Sequence, residues 1–218
     1  EIYFHKLLKV SLTSKNTLIL DLSTGSPLAA KFQWMSVKEQ QNYLELMLEE
    51  KKVKNAIGKY NEVRSIYSSK QFFHNSFEGD EKRTIHLGID IFAKSGTSIY
   101  VPFEGIVHQL NDNRDHLDYG PTVILKHQPS DGPIFYTLYG HLSRSSLKNL
   151  NVGQIVKGGM KLAEIGDSNE NGGWITHVHF QIILDLFDSK GNYPGVALPS
   201  QRKVWTSICP DPRIMLGL

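Results

Sequence analysis

The chain has 218 residues, with 24 Lys and Arg against 22 Asp and Glu, nine His and one Cys. This length and near-neutral charge indicate one large domain or slightly more, and they exclude the basic footprint of a nucleic-acid-binding protein. One cysteine excludes an internal disulfide, and no run approaches the roughly 18 apolar residues of a membrane span. The sequence therefore predicts no nucleic-acid partner and no membrane span.

The first six residues, Glu1–Lys6, lack the basic and apolar regions of a secretory signal. If the chain is full-length, this start predicts a cytoplasmic protein. If a signal peptide has been removed, the cell envelope or the exterior is expected instead.

Residues 1–82 predict an α/β extension with one strand and one helix. Thr17–Leu22 is an apolar run followed by turn residues, which is typical of a strand. Ser36 and Glu39 form a capping-box pattern ahead of a helix predicted over about 37–55. The apolar residues of this helix form one stripe suited to docking on a sheet. The alternative for the stripe is a partner-binding surface.

From about residue 84, short β-branched and aromatic runs alternate with Gly, Pro, Asn and Asp turns, which is typical of an all-β sandwich or barrel. The predicted strands are Ser98–Val101, Gly105–Leu110, Thr122–Lys126, Phe135–Tyr139, Gln154–Val156, Lys161–Ile165 and Val178–Leu184. We predict a mainly β fold, an antiparallel, sandwich-like sheet with the N-terminal α/β extension packed against it. The predicted domains are an N-terminal extension over 1–82, a β domain over 83–187 and a C-terminal extension over 188–218.

His86 and Asp90 flank a glycine in His-x-Gly-x-Asp. On a regular strand they would lie about 13 Å apart, too far for one metal ion. A bend at Gly88 would bring the imidazole and the carboxylate together. This spacing is usable for metal binding only if the chain turns there.

Two further places carry histidine beside predicted strands. His177 and His179 point to the same face of a strand, about 6.5 Å apart, so one can bind a metal while the other faces its open position. His141 follows the strand Phe135–Tyr139. Each signal alone is weak, because a lone histidine is more often structural. Two histidines with one carboxylate, however, leave a fourth position open, as in catalytic zinc sites.

The motifs His-x-Gly-x-Asp, Tyr-x-His-Leu and His-x-His-Phe, in this order, resemble those of the LytM/lysostaphin-type zinc metallopeptidases. This is the duplicated-hybrid-motif, or peptidoglycan DD-metalloendopeptidase, family. The segments between the motifs, at 96–102, 105–107, 119–125 and 152–159, are also similar to the family's strands. The similarity covers about residues 83–187. The flanks resemble, more weakly, the peptidase segment of larger proteins fused to a phosphotransferase and an aminotransferase.

The resemblance implies one Zn²⁺ per chain, bound by His86, Asp90 and His179, with His141 and His177 as the catalytic pair. It implies a zinc metalloendopeptidase that hydrolyses peptide bonds, of the peptidoglycan cross-link type, through zinc-activated water. The sequence leaves open which of the two catalytic histidines is the general base.

Two departures from the family pattern concern the substrate. A longer loop over residues 166–176 precedes the last motif and carries Trp174, which either contacts substrate or covers the core. Trp174 and Tyr119 are the candidate groove residues. Gln181 stands where the family frequently has Glu. The remaining histidines are expected to be surface or hydrogen-bonding residues: His5, His74, His108, His116 and His127.

Two other functions stay open at the level of sequence. One is a cytoplasmic zinc amide or peptide hydrolase domain within a multi-domain enzyme. The other is a non-catalytic binding or regulatory module that keeps the same fold.

Overall fold

The structure is a computed structural model that describes residues 3–13, 15–68 and 81–218. Its helices are α1 (Pro27–Phe32), α2 (Val37–Glu50), α3 (Arg144–Leu147), α4 (Arg202–Ile208) and α5 (Arg213–Leu216). Its strands are β1 (Thr17–Leu20), β2 (Asn55–Gly58), β3 (Ile85–His86), β4 (Ile89–Phe92), β5 (Ser98–Tyr100), β6 (Gly105–Asn113), β7 (Gly120–His127), β8 (Phe135–Gly140), β9 (Ile155–Val156), β10 (Lys161–Glu164), β11 (His177–Ile183) and β12 (Val196–Ala197). The predicted mainly β fold with an N-terminal α/β part is confirmed.

One eight-stranded mixed sheet dominates the architecture, in the order β1-β2-β4-β11-β8-β7-β6-β9. The β1–β2 pair is parallel and the other pairs are antiparallel. Two small sheets, β5–β10 and β3–β12, accompany it. The described strands close no barrel, because the large sheet ends openly at β1 and β9.

Helix α2 begins where the capping box predicts and ends earlier than predicted. Ser36 accepts a hydrogen bond from the Glu39 backbone, and the Glu39 carboxylate accepts from the Ser36 backbone in return. Lys52 takes a left-handed conformation (φ 54°), and the Val53 N–H donates to the Leu48 carbonyl, so a Schellman turn ends the helix. Residues 51–54 therefore lie outside the helix, and Asn55, where the predicted helix ends, is the first residue of strand β2.

Strand β11 separates the main core from the opposite face of the sheet. Val178, Phe180 and Ile182 point into the largest hydrophobic cluster, which also contains residues of β4, β5, β7 and β10. His177 and His179 alternate with them and therefore point to the other face. This alternation places the candidate site on the face away from the main core.

Strand β2 pairs with β4, so the sheet runs from the segment before residue 82 into the predicted β domain. The division into three domains remains a prediction. Among the described residues, no helix is both long and apolar enough to cross a membrane.

Candidate metal centre and active site

The bend predicted at Gly88 is present. Strand β3 ends at His86, the chain bends at Gly88, and β4 begins at Ile89. As a result, His86 Nε2 lies 3.1 Å from Asp90 Oδ1. The glycine gives space here: a Cβ on Gly88 would lie 2.5 Å from His179 Nε2 and 2.7 Å from the Phe180 carbonyl oxygen.

His179 completes a triangle of possible ligand atoms. It pairs with Gly140 of β8 on one side and with Asp90 of β4 on the other. His179 Nδ1 lies 3.0 Å from His86 Nε2 and 3.0 Å from Asp90 Oδ1. Within the described ranges, this is the one group of three His, Cys, Asp or Glu residues whose ligand atoms converge.

The neighbours of the two imidazoles fix which nitrogen faces the triangle. His86 Nδ1 lies 2.9 Å from the Lys59 carbonyl oxygen, to which it must donate, so Nε2 is left with a lone pair. Gln181 donates its amide N–H to the Pro194 carbonyl, which turns its Oε1 towards His179 Nε2 at 2.9 Å. His179 Nε2 therefore donates, and its Nδ1 keeps a lone pair.

Three electron-pair donors, His86 Nε2, Asp90 Oδ1 and His179 Nδ1, thus face one another, and all three side chains are buried. Such an arrangement is repulsive unless a cation lies between the donors. Tetrahedral zinc, with ligands about 2.0–2.1 Å away, separates its donors by roughly 3.3 Å. The observed 3.0–3.1 Å spacing is within a few tenths of an ångström of this value, and the two-His, one-carboxylate set fits zinc.

The electrostatics keep His86 and Asp90 in forms that can bind a metal ion. Burial and the charge of Arg64 together lower the pKa of His86 to about 4. Burial opposes ionisation of Asp90, but His86 and Arg64 together hold the pKa of this carboxyl well below its usual value. At neutral pH the imidazole is therefore neutral and the carboxylate is ionised.

His141 and His177 lie side by side next to the triangle, with ring centroids 4.2 Å apart. His141 Nδ1 donates to the Asn171 carbonyl at 2.8 Å, and His177 Nδ1 donates to the Ile175 carbonyl at 2.7 Å. Burial lowers the pKa of both residues, and the neighbouring imidazole of His177 adds to the effect on His141. Both side chains therefore offer a neutral Nε2 that can accept a proton.

A cavity of about 760 Å³ opens over the five residues. Trp174 and Tyr119 both line it. Trp174 is half-buried, and its Nε1 donates to the Asp118 carbonyl at 3.2 Å. Tyr119 is mostly buried and packs against the rings of His141 and His179. Both sequence-predicted groove residues thus line the cavity, with Tyr119 more deeply buried than Trp174.

The loop over residues 166–176 holds one of the catalytic candidates in place. Asn171 is fully buried; its side chain accepts from the Gly173 and Trp174 backbones and donates to the Trp174 carbonyl. These bonds fix the Asn171 carbonyl that His141 contacts. Gln41 of α2 accepts from the Thr176 backbone at 2.9 Å, which ties the loop to the N-terminal part of the chain.

Sequence reasoning did not identify several residues around the ligands. Arg64 contacts the outer oxygen of Asp90 and is paired with Glu62. No sequence signal marks this pair, because the contact depends on the long-range pairing of β2 with β4. Gln181 had a usable signal: it lies two residues after His179 and so shares its face of the strand. It also donates to Cys209 Sγ at 3.2 Å, which brings the single cysteine to the rear of the site.

The other histidines do not join the site as ligands. His127 is buried and bonded to Thr137 and to the Glu104 carbonyl, whereas His5 and His116 are exposed. His116 lines the rim of the cavity, and His108 lies against the Tyr136 ring. His74 lies outside the described residues.

The family model described as "Peptidase family M23" matches residues 84–190. No curated protein matches the chain.

Several solved structures are similar to this one. The catalytic domain of lysostaphin from Staphylococcus simulans shares 20% identity, with a TM-score of 0.43 over 67% of this chain and 86% of that chain. The catalytic domain of the prophage-encoded M23 protein EnpA from Enterococcus faecalis shares 21%, with a TM-score of 0.38 over 58% and 85%. A zinc-containing peptidase from Vibrio cholerae shares 24%, with a TM-score of 0.37 over 52% and 31%.

Proposed function

We propose, because residues 84–190 match the model of peptidase family M23, that the protein is a zinc-dependent metalloendopeptidase that hydrolyses peptidoglycan-type peptide cross-links. The observation that carries the proposal is the triangle of His86 Nε2, Asp90 Oδ1 and His179 Nδ1, next to two further neutral imidazoles. The site has three ligands and a cavity above them, which is the composition of a catalytic zinc site and not of a closed structural one.

The proposed metal ligands are His86, Asp90 and His179. When bound there, zinc supplies Lewis acidity that polarises a carbonyl group and brings the pKa of water to about 7. The protein's own part is to hold the two imidazoles and the carboxylate in place through Lys59, Gln181 and the surrounding strands.

His141 and His177 are the proposed proton-transfer and oxyanion-binding residues. Each donates Nδ1–H to a backbone carbonyl, so Nε2 can take the proton of the attacking water. Once protonated, the same nitrogen can donate to the oxyanion or to the leaving amine. Each of these roles typically contributes about 10²–10³-fold to rate.

The cavity supports a peptide substrate. The residues that line it include two acidic residues of one loop, Asp115 and Asp118. A basic residue, Arg83, and the indole of Trp174 also line it. A cavity lined by charges of both signs and by aromatic rings suits a short peptide with amine and carboxylate groups better than a strongly charged polymer.

The proposal is tested by digestion of purified peptidoglycan and of a panel of glycine-rich and D-amino-acid peptides, with new amines identified by mass spectrometry. We expect cleavage by the zinc-loaded protein. His141→Ala and His177→Ala should each cut the rate about 100-fold or more while zinc stays bound. His108→Ala is the matched control and should retain the rate, because His108 is not one of the five site residues.

Three outcomes would contradict parts of the proposal. Stoichiometric zinc without cleavage of any substrate would favour the non-catalytic module of the same fold. Cleavage of small peptides or amides but not of peptidoglycan would favour a hydrolase domain of a multi-domain enzyme. Absence of zinc binding would contradict the metal site itself.

A further inference from the structure

A buried arginine from the segment before residue 84 contacts the ligand carboxylate. Arg64 Nη1 donates to Asp90 Oδ2 at 2.5 Å, and Arg64 Nε donates to Glu62 Oε2 at 2.9 Å. All three residues are at least nine-tenths buried. The oxygen that Arg64 occupies is the one that points away from His86 and His179.

The neighbouring strand leaves room for this guanidinium. Gly58 pairs with Asp90 between β2 and β4. A Cβ on Gly58 would lie 2.6 Å from Arg64 Nη2, so a larger residue would displace the guanidinium from the carboxylate. The strand pairing and the glycine together build a seat for Arg64.

The same segment also holds His86 through its backbone. The Asn61 N–H donates to the His86 carbonyl at 2.8 Å, and the His86 N–H donates to the Glu62 carbonyl at 3.0 Å. With the bond from His86 Nδ1 to the Lys59 carbonyl, residues 59–64 contact two of the three ligands.

Charge explains why Arg64 comes with Glu62. A lone guanidinium beside a divalent cation would oppose metal binding by Coulomb repulsion. The Glu62 carboxylate, which also lies 3.4 Å from the partly exposed Lys59 Nζ, offsets the charge of Arg64, while the N–H groups of the guanidinium still orient Asp90. The pair therefore supplies a hydrogen-bond donor without a net positive charge.

We propose that Arg64 and Glu62 are positioning residues of the metal centre, which hold Asp90 as a one-oxygen ligand with Oδ1 directed between His86 and His179. This inference rests on the proposed zinc site. It places part of that site outside residues 84–190, the range that matches the peptidase family.

The test is the zinc dissociation constant, measured by competition with a chromophoric chelator. Loss of a hydrogen-bond partner behind a ligand typically weakens metal binding 10–100-fold. We expect that loss for Arg64→Met and for Glu62→Gln, which leaves the arginine charge uncompensated. Arg64→Lys should also bind more weakly, because an ammonium lacks the fork that joins Glu62 to Asp90.

Arg144→Met is the matched control. Arg144 also pairs with a carboxylate, that of Asp112, but neither residue is among the proposed ligands. Its zinc affinity should stay within about twofold of that of the wild type.

Thermal melting with and without zinc separates positioning from general stability. A purely structural role would lower Tm equally in both states, whereas a positioning role also shrinks the zinc-induced rise in Tm. Folded Arg64→Met protein with wild-type affinity would overturn the inference. If Arg64→Met does not fold, wild-type affinity in both Arg64→Lys and Glu62→Gln would overturn it. Absence of zinc binding by the wild-type protein would instead overturn the proposed function, and this inference with it.

Discussion

Single backbone carbonyls decide which nitrogen of each site histidine is left for chemistry. Lys59, Asn171 and Ile175 accept from Nδ1 of His86, His141 and His177, respectively. In each case Nε2 is left as the acceptor. His179 is the exception, because the side chain of Gln181 accepts from its Nε2 and leaves Nδ1. The site therefore depends on contacts that the His-x-His motif alone does not reveal.

Gln181 gives the first residue-scale prediction. Gln181→Leu removes the acceptor for His179 Nε2–H, so the imidazole loses its fixed tautomer. We expect zinc affinity to fall about 10–100-fold. Chelator competition measures the change.

Gln181→Glu is the matched variant. It keeps an acceptor for His179 but loses the bonds to Pro194 and Cys209. We expect near wild-type zinc affinity with a free energy of unfolding lower by about 1–3 kcal/mol. Equal zinc affinities for Gln181→Leu and Gln181→Glu would contradict the proposed role of the acceptor.

His127 gives a second prediction, on stability. Burial lowers the pKa of His127 to about 4 in the folded protein, against about 6.5 for an unperturbed histidine. Between these values the unfolded chain binds more protons, so stability falls as pH falls. From pH 7.5 to pH 5 this one group should cost about 2 kcal/mol of stability.

Urea unfolding of the zinc-free protein at both pH values tests this effect. His127→Gln should be less stable than the wild type at pH 7.5, because its bonds to Thr137 and Glu104 are altered. It should, however, lose about 2 kcal/mol less on acidification. Identical pH dependence in the two proteins would show that His127 does not titrate as described.

At the scale of elements, the corner between β3 and β4 brings the first motif together. The sequence predicts the bend at Gly88, and the structure confirms it. The physical reason is different, because Gly88 is not among the residues with positive φ. The glycine is required because the His179 ring and the Phe180 carbonyl occupy the space of a Cβ.

Gly88→Ala therefore tests the corner. The methyl group would force the His179 ring or β4 to move, and overpacking of this kind typically costs about 1–3 kcal/mol. We expect urea unfolding to show this loss in the free energy of unfolding. Zinc affinity should also fall at least tenfold, because changes to residues that contact a metal ligand typically weaken metal binding about 10–100-fold.

Ser36→Ala is the control of similar stability cost. It removes the capping box of α2, which should lower the free energy of unfolding by about 1 kcal/mol. Zinc affinity should not change, because Ser36 contacts no site residue. A parallel loss of zinc affinity in this variant would mean that general destabilisation explains the Gly88→Ala result.

The end of α2 shows where sequence reasoning fails at this scale. Helices often end on glycine in the left-handed conformation, but here Lys52 takes it. No stop signal is therefore visible before residue 55, and the predicted helix extends to the first residue of β2. The strands β5 to β11 were predictable because Gly, Pro, Asn and Asp turns separate them, whereas β12 was not predicted.

For the whole molecule, the sequence predicts the five residues of the proposed metal centre but not the residues that contact them from other parts of the chain. The motifs place His86, Asp90, His141, His177 and His179, and the structure brings these together. The contacts of Arg64, Glu62 and Gln41 with the site come from distant parts of the chain. They depend on β2 pairing with β4 and on α2 docking near Thr176, which local patterns do not encode.

The central claim is that one zinc ion, held by His86, Asp90 and His179, makes this protein a peptidase. The most direct test is the initial rate of cross-link hydrolysis by the metal-free protein as zinc is added in measured equivalents. We predict that the rate rises linearly and saturates at one zinc per chain, and that His179→Ala stays inactive throughout. Hydrolysis without zinc, or an equal rate in His179→Ala, would contradict the claim.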